Sequence, residues 1–480
     1  MTMTCRATLV ALAALLGLAA NAPVAVAGTD AATRQLARDL FTELVEINTT
    51  ESAGNVTAAA EAVARRLRAA GFADADIALL GPTARKKNLV VRLHGTGKAR
   101  PVLLLGHLDV VEADRKDWGT DPFRFVEKDG FFYGRGTQDM KSGDAIMATS
   151  LIRLKREGFR PPRDVILALT ADEEAGDANG VEWLLKNRRD LVDAEFALNH
   201  DDVCVHTSAG RPLYMHLVAS EKLYADFELT VRNKGGHSSE PAADNAIYEL
   251  AAALQRLAAY RFPFELNEVT RAYYTRSAAR ASGARAADLR AIVAVPPDPA
   301  AADRLAAGLI DNSLTHTTCV ATRLSAGQAN NALAQSAQAI VNCRILPGHE
   351  PEEVRQELVR VLAEPKVTVR FVNEAGESFE TAESRHGFTP PALRADVLGA
   401  AEKAAGILWP GMPVIPWMSA GATDAVYANA AGIPVFVVSG SAVEEGDHRE
   451  HANDERLGVE SFYRSLDFYF LFLKALLGSP

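Results

Sequence analysis

The chain has 480 residues, 48% of them apolar and 23% charged, with a formal net charge of −10. This is globular composition; it excludes a collagen-like, low-complexity or disordered chain, and the length accommodates about two to three domains. The acidic balance and the lack of a long basic run exclude nucleic acid as an expected partner.

Arg6 precedes an apolar run over residues 7–20, and Ala25-Val26-Ala27 follows. A basic start, a short apolar stretch and an A-x-A site predict a secretory signal peptide over residues 1–27, cleaved near Ala27. The stretch is short for a membrane span, which needs about 20 residues. No cysteine follows it to carry a lipid, because Cys5 precedes it. The expected mature protein is secreted or periplasmic, with no stable membrane anchor.

Helical periodicity marks ATRQLARDLFTELVEINTT and TAAAEAVARRLRAAGF, the second ending at Gly71. KNLVVRLHG and PVLLLGHLDVV read as strands, and a helix is expected from near Lys141. DVILALTADEE is a strand, VEWLLKNRRDL a helix and FALNHDD a strand. Such alternation predicts a three-layer α/β catalytic domain with a mixed, mostly parallel sheet. Near Glu221 the pattern changes. KLYADFELTVRNK alternates, NAIYELAAALQRLAAY is helical, and three further strands and a helix opened by Pro351 follow. Strand–helix–strand–strand–helix–strand is the split βαβ order of an α+β (ferredoxin-like) domain. The expected division is a catalytic domain over residues 28–220 and 381–480, with an inserted lid/dimerisation domain over 221–380. Residues 262–310, rich in Ala and Arg, give no readable pattern. Cleavage would leave Cys204, Cys319 and Cys343, whose spacing fits no zinc knuckle. Cys343 reads as a small buried residue, and one disulfide is compatible with an oxidising compartment.

Three segments carry the chemistry: LLLGHLDVV, FFYGRGTQDMKSGD and ILALTADEEAG. In the first and third, a buried-strand pattern ends in metal-capable side chains. Open α/β sheets bind ligands beyond the carboxyl ends of their strands, so these residues converge on one crevice. His107 and Asp109 share one side of an extended chain, where a carboxylate can fix the tautomer of a ligating imidazole. Asp139 sits in a glycine-flanked loop, and a carboxylate there can bridge two metals; a helix cap is the plainer alternative. Adjacent Glu173 and Glu174 point differently, so one can ligate while the other serves as general base. No G-x-S-x-G elbow occurs, which counts against a serine hydrolase.

With these motifs in order, the chain resembles the M20 metallopeptidases, a family of carboxypeptidases, aminoacylases, desuccinylases and dipeptidases. The resemblance covers nearly the whole mature chain, from GHLDVV through GGHSSEP to HANDER. It implies two Zn2+ per subunit and a homodimer formed through the inserted domain. It makes His107, Asp139, Glu174, Asp201 and His451 metal ligands, with Asp109 orienting His107 and Glu173 as the base. Within ALNHDDV, His200 and Asp202 compete with Asp201, and His448 is the fallback for His451. A non-proline cis peptide is implied at Asp139–Met140. His237 of GGHSSEP matches a lid histidine that stabilises an oxyanion, often in the partner's site. Asn331 and Arg344 match lid positions that hold substrate polar groups, Arg344 gripping a carboxylate. SAGATDA, residues 419–425, matches a loop near the metals without an assigned role. The expected activity is that of an exported di-zinc metallopeptidase cleaving small peptides with a free carboxylate. N-acyl amino acid hydrolysis is the alternative, and a non-catalytic metal- or peptide-binding protein is the third reading.

Overall fold

In the computed structural model, which describes residues 29–373, 376–382 and 392–478, the first amphipathic segments form α1 (Ala31–Glu46) and α2 (Val56–Ala69). The side chains of Asp30 and Asn55 accept the amides of Thr33 and Ala58, donors that a helix start otherwise leaves unpaired. The expected signal peptide and its cleavage site lie outside the described residues. Strands β1 (Ile77–Leu80), β2 (Asn88–Leu93) and β3 (Val102–His107) follow. Next come the hairpin of β4 (Val126–Lys128) and β5 (Phe131–Tyr133), then α3 (Lys141–Arg156) and β6 (Val165–Thr170). The helical segment after DEEAG splits into α4 (Gly180–Asn187) and α5 (Arg189–Val192), and β7 (Phe196–Asn199), β8 (Val205–Ser208) and β9 (Arg211–Glu221) close this part.

The next part holds β10 (Leu223–Arg232), β11 (Gly236–His237) and α6 (Ala246–Ala259). Four helices follow, α7 (Glu268–Ala278), α8 (Gly283–Val293), α9 (Pro299–Leu305) and α10 (Leu309–Thr315). After them come β12 (Thr318–Ala326), β13 (Ala332–Leu333), β14 (Ser336–Ile345), α11 (Pro351–Leu362), β15 (Val367–Val372) and β16 (Ser378–Phe379). The chain then returns to the first sheet through α12 (Ala395–Leu408), β17 (Val414–Ser419), α13 (Ala425–Ala430), β18 (Val435–Val437), β19 (Ala442–Glu444), β20 (Arg456–Gly458) and α14 (Val459–Leu477).

The large sheet runs β1-β2-β6-β3-β7-β18-β9-β8-β19, with β17 added on β9. Its centre, β6-β3-β7-β18, is parallel. Every residue of β3, β6 and β7 is buried. A strand covered on both faces has no wet side, which explains the unbroken apolar runs. Alternate residues serve opposite layers. Leu104, Leu167 and Leu198 pack with α1, α3 and α14, whereas Leu103, Ile166 and Ala197 pack with α4 and α13. This is the expected three-layer arrangement.

The second sheet, β12-β14-β10-β15-β16, is antiparallel and rests on α6 and α11. β14 alternates buried and half-buried residues along its length, and its buried set joins Leu250, Leu257, Val354 and Leu358 in a separate core. Cys319 and Cys343 face each other across β12 and β14 and form a disulfide, so Cys343 is buried as expected but not as a free thiol. The segment that gave no pattern is helical. Val269, Tyr274, Leu289, Ile292 and Ala301 from it join the core of the first sheet, although β10 and β12 of the second sheet flank it in the chain. Only Ala286, Leu289 and Ile292 of α8 are buried, too few to stand out as a stripe against a background of alanine.

Candidate metal centre

Parallel strands that end at the same level bring their following residues together. β3 ends on His107, β6 ends just before Ala171-Asp172-Glu173-Glu174, and β7 ends just before His200-Asp201. Loops carrying Asp139 and His451 close over this edge. His107 Nε2 lies 3.0 Å from Asp139 Oδ1 and 3.6 Å from Asp201 Oδ1. The other Asp139 oxygen, Oδ2, lies 3.0 Å from His451 Nε2, which also lies 3.0 Å from Glu174 Oε2. The two oxygens of Asp139 therefore face two different imidazoles. His107 and Asp201 stand on one side, His451 and Glu174 on the other.

The competitors for the Asp201 position turn elsewhere. His200 is buried with Nε2 3.1 Å from Ser465 Oγ on α14, and burial pushes its pKa down to about 4. Asp202 contacts His216. His448 turns to Glu450, 3.7 Å away. The peptide between Asp139 and Met140 is cis.

The surroundings explain how these groups are held. His107 Nδ1 lies 3.1 Å from the backbone oxygen of Asp109 and 3.6 Å from its carboxylate. That carboxylate also accepts the amides of Glu173 (3.2 Å) and Glu174 (2.9 Å). One aspartate thus fixes the imidazole and the following glutamate pair together. The Asp139 loop is fixed by Glu455 of HANDER, fully buried. Its carboxylate accepts the amides of Gly136, Gln138 and Asp139 and pairs with Arg135. Asp424 of SAGATDA is buried and accepts from Asn179 Nδ2 (2.5 Å) and Thr170 Oγ1 (3.3 Å). Glu455 and Asp424 were not singled out from sequence, because a charged loop residue and a buried one look alike in a single chain. Only the cluster of glycines and polar residues around Asp139 hinted that its loop needed an internal acceptor.

Electrostatics favour cations here. Burial pushes the Asp201 carboxyl up to about 7, and the charges of Asp139 and Glu174 add to this. At Asp139 burial opposes ionisation, but hydrogen bonds from His107 and His451 outweigh it and hold the carboxyl well below the usual range. Hydrogen bonds to Asp139 and Glu174 push His451 up to about 10. Three carboxylates at this separation repel one another, and each imidazole is drawn toward its protonated form to balance them. Divalent cations would relieve the same repulsion. One donor atom each from His107, Asp139 and Glu174 lies within 4.8 Å of the others. Imidazole and carboxylate donors of this kind suit zinc, and a carboxylate with its oxygens turned apart suits sharing between two ions.

Glu173 lies beside this group and lines a cavity of about 270 Å³ with Glu174, Leu223, Tyr224, Val426 and Tyr427. Burial pushes its carboxyl well above the ordinary range. The Arg344 guanidinium stacks 4.7 Å from the centre of the Tyr224 ring. His237 and Asn331 are brought together elsewhere, on the exposed ribbon of β11 and β13, where the Ser238 amide donates to the Asn331 carbonyl. His237 Nδ1 engages Ser239 Oγ at 2.6 Å.

A model of the family described as "Peptidase family M20/M25/M40" matches residues 103–475. The chain is 26% identical to the probable carboxypeptidase S-like 2 of Dictyostelium discoideum, over 78% of this chain and 71% of that protein. It is 29% identical to the N-fatty-acyl-amino acid synthase/hydrolase PM20D1 of Bos taurus over 56% of this chain, which spans about half (54%) of that relative's length. Among solved structures it is similar to the M20 family metallo-carboxypeptidase Sso-CP2 from Sulfolobus solfataricus, with TM-score 0.67 and 18% identity over 92% of this chain and 99% of that one.

Proposed function

The chain belongs to peptidase family M20/M25/M40 and is a hydrolytic enzyme, and from that premise we propose that it is an exported di-zinc metallopeptidase of small peptides. The observation that carries this reading is the turning apart of the Asp139 oxygens toward two imidazoles, each flanked by a further carboxylate. His107, Asp139 and Asp201 would hold one ion and Asp139, Glu174 and His451 the other. When bound, such ions supply Lewis acidity for activating water and polarising the amide carbonyl. Glu173 takes the proton from the attacking water and returns it to the amide nitrogen as the C–N bond breaks. Asp109 keeps the Glu173 backbone and the His107 ring in register through the bonds described above. His237, from the partner subunit's lid, donates to the carbonyl oxygen as charge develops there. Arg344 and Asn331 bind the free carboxylate and neighbouring polar groups of the substrate.

Export is supported by the Cys319–Cys343 disulfide, because such bonds persist in oxidising compartments. Among the described residues, no helix is long and apolar enough to cross a membrane. A homodimer is supported by β12, an edge strand with Val320 60% and Leu324 68% exposed. An open edge with apolar side chains is a template for pairing with a second copy. Replacing both Val320 and Leu324 with lysine is expected to convert a dimer to a monomer in light scattering, with a matching loss of kcat. A native protein that is monomeric at full activity would refute both the dimer and the role of His237 in the partner's site.

A second reading, hydrolysis of N-acyl amino acids, is favoured by the apolar cavity wall of Leu223, Tyr224, Val426 and Tyr427. The bovine relative named above points the same way. Mass spectrometry of products decides between the two. Zinc-loaded protein from Gly28 onward is mixed with dipeptides, tripeptides, their C-terminal amides and N-acyl amino acids. Cleavage of the free-carboxylate peptides, with the amides spared, is the expected result. Turnover of N-acyl amino acids alone would replace the first reading with the second.

A further inference from the structure

Asp201 turns toward the acidic centre, but the residue after it turns away into a second group of donors. Asp202, Cys204 and His206 lie two apart along the strand that enters β8, and His216 lies on the antiparallel partner β9. The His216 amide donates to the Cys204 carbonyl at 2.9 Å, so the two residues stand directly opposite. His216 Nε2 lies 2.8 Å from Asp202 Oδ2, and its Nδ1 lies 2.8 Å from His206 Nε2. One donor atom each from Asp202, Cys204 and His216 falls within 4.8 Å of the others, as at His107, Asp139 and Glu174. The imidazole–carboxylate spacing of 2.8 Å is close to the 3.0 Å found three times in the acidic centre.

We propose that Asp202, Cys204 and His216 form a further divalent-cation site, distinct from the pair held by the acidic centre, with His206 as a positioning residue. Four features carry this. The donors are a thiol, an imidazole and a carboxylate, a set that suits zinc and its neighbours. Cys204 and His216 are nearly fully buried (0% and 5% exposed), so they are not solvated strand residues. The Asp202 side chain is one-third exposed (33%), which leaves a path for an ion and a water in the remaining position. His206 Nε2 faces His216 Nδ1 and can accept its N–H, so a cation that replaces the proton His216 Nε2 donates to Asp202 would meet a free electron pair there. Metal-ligating histidines are typically held in this way by a partner on the other ring nitrogen. His206 itself stacks on Tyr214, with ring centres 4.4 Å apart, and is thereby fixed in place. Binding displaces the thiol proton of Cys204, and any proton on His216 Nε2, to solvent; no redox step is involved.

The inference stands apart from the hydrolase reading, because Cys204 is the one free cysteine among the described residues and the acidic centre has no sulfur donor. Cobalt(II) titration of the metal-free protein from Gly28 onward, which lacks the thiol of Cys5, therefore tests it without an activity assay. The expected result is a near-ultraviolet thiolate-to-cobalt absorption that saturates at one ion per chain, with three ions retained in all. Cys204→Ala is expected to lose the absorption and retain two. His206→Ala keeps all three ligands and is expected to weaken this ion's binding about 10–100-fold. No thiolate absorption in the native chain overturns the site, as does an absorption or a stoichiometry unchanged in Cys204→Ala. Unchanged affinity in His206→Ala overturns the positioning role. The native spectrum depends on no variant folding, and inactivity toward every peptide would leave this result untouched.

Discussion

Glu173→Ala is expected to lower kcat by about 10²–10⁴-fold, the contribution of a positioned general base, while leaving the bound metal unchanged. The argument is the contrast between adjacent glutamates. Glu174 reaches His451 at 3.0 Å and belongs to the acidic centre. Glu173 has no such contact; its amide is held by Asp109, and its side chain lines the cavity beside the acidic centre. Burial pushes its carboxyl well above the ordinary range, so it can hold a proton between taking it from water and giving it to the amine. Glu174→Ala should instead lose metal. Saturating kinetics beside metal analysis on both variants make the check. Glu173→Ala with near-native kcat, or with its metal lost, would sink the assignment.

The sequence made some of this legible and hid the rest for physical reasons. β3, β6 and β7 were readable because burial on both faces demands unbroken apolar runs, and those runs ended on His107, the glutamate pair and Asp201. The strands of the second sheet were readable because one wet face forces alternation, as β14 shows residue by residue. Helices α7 to α9 were not, because their buried side chains are spread among alanines and their packing partners are distant in the chain. Which of His200, Asp201 and Asp202 faces the acidic group was open for a similar reason. Three successive polar residues past a strand end have no periodicity, and only Ser465 and His216 on other elements draw the outer two away. The donor set of Asp202, Cys204 and His216 was invisible, because the hairpin register that opposes Cys204 and His216 is not written in either segment alone.

Glu455 shows why a position outside the ligand set can matter as much as one within it. Glu455→Ala is expected to destabilise the fold by about 3–5 kcal/mol, the cost of stranding a buried ion-pair partner. The partner is Arg135, 2% exposed, whose Nη1 lies 2.8 Å from Glu455 Oε2 and whose guanidinium stacks 5.0 Å from the Trp118 ring centre. The same carboxylate accepts three successive-loop amides, from Gly136 at 3.0 Å, Gln138 at 2.6 Å and Asp139 at 3.1 Å. Buried amides that lose their acceptor are costly, so the loop would rearrange. That rearrangement would move Asp139, the one carboxylate facing both imidazoles, and the variant should retain less metal than the native chain. Glu455→Gln keeps one acceptor oxygen for Gln138 and Asp139 and should lose less of both. Denaturant unfolding with metal analysis separates the two consequences. A Glu455→Ala protein with native midpoint and native metal content would show that the loop holds its shape without this carboxylate.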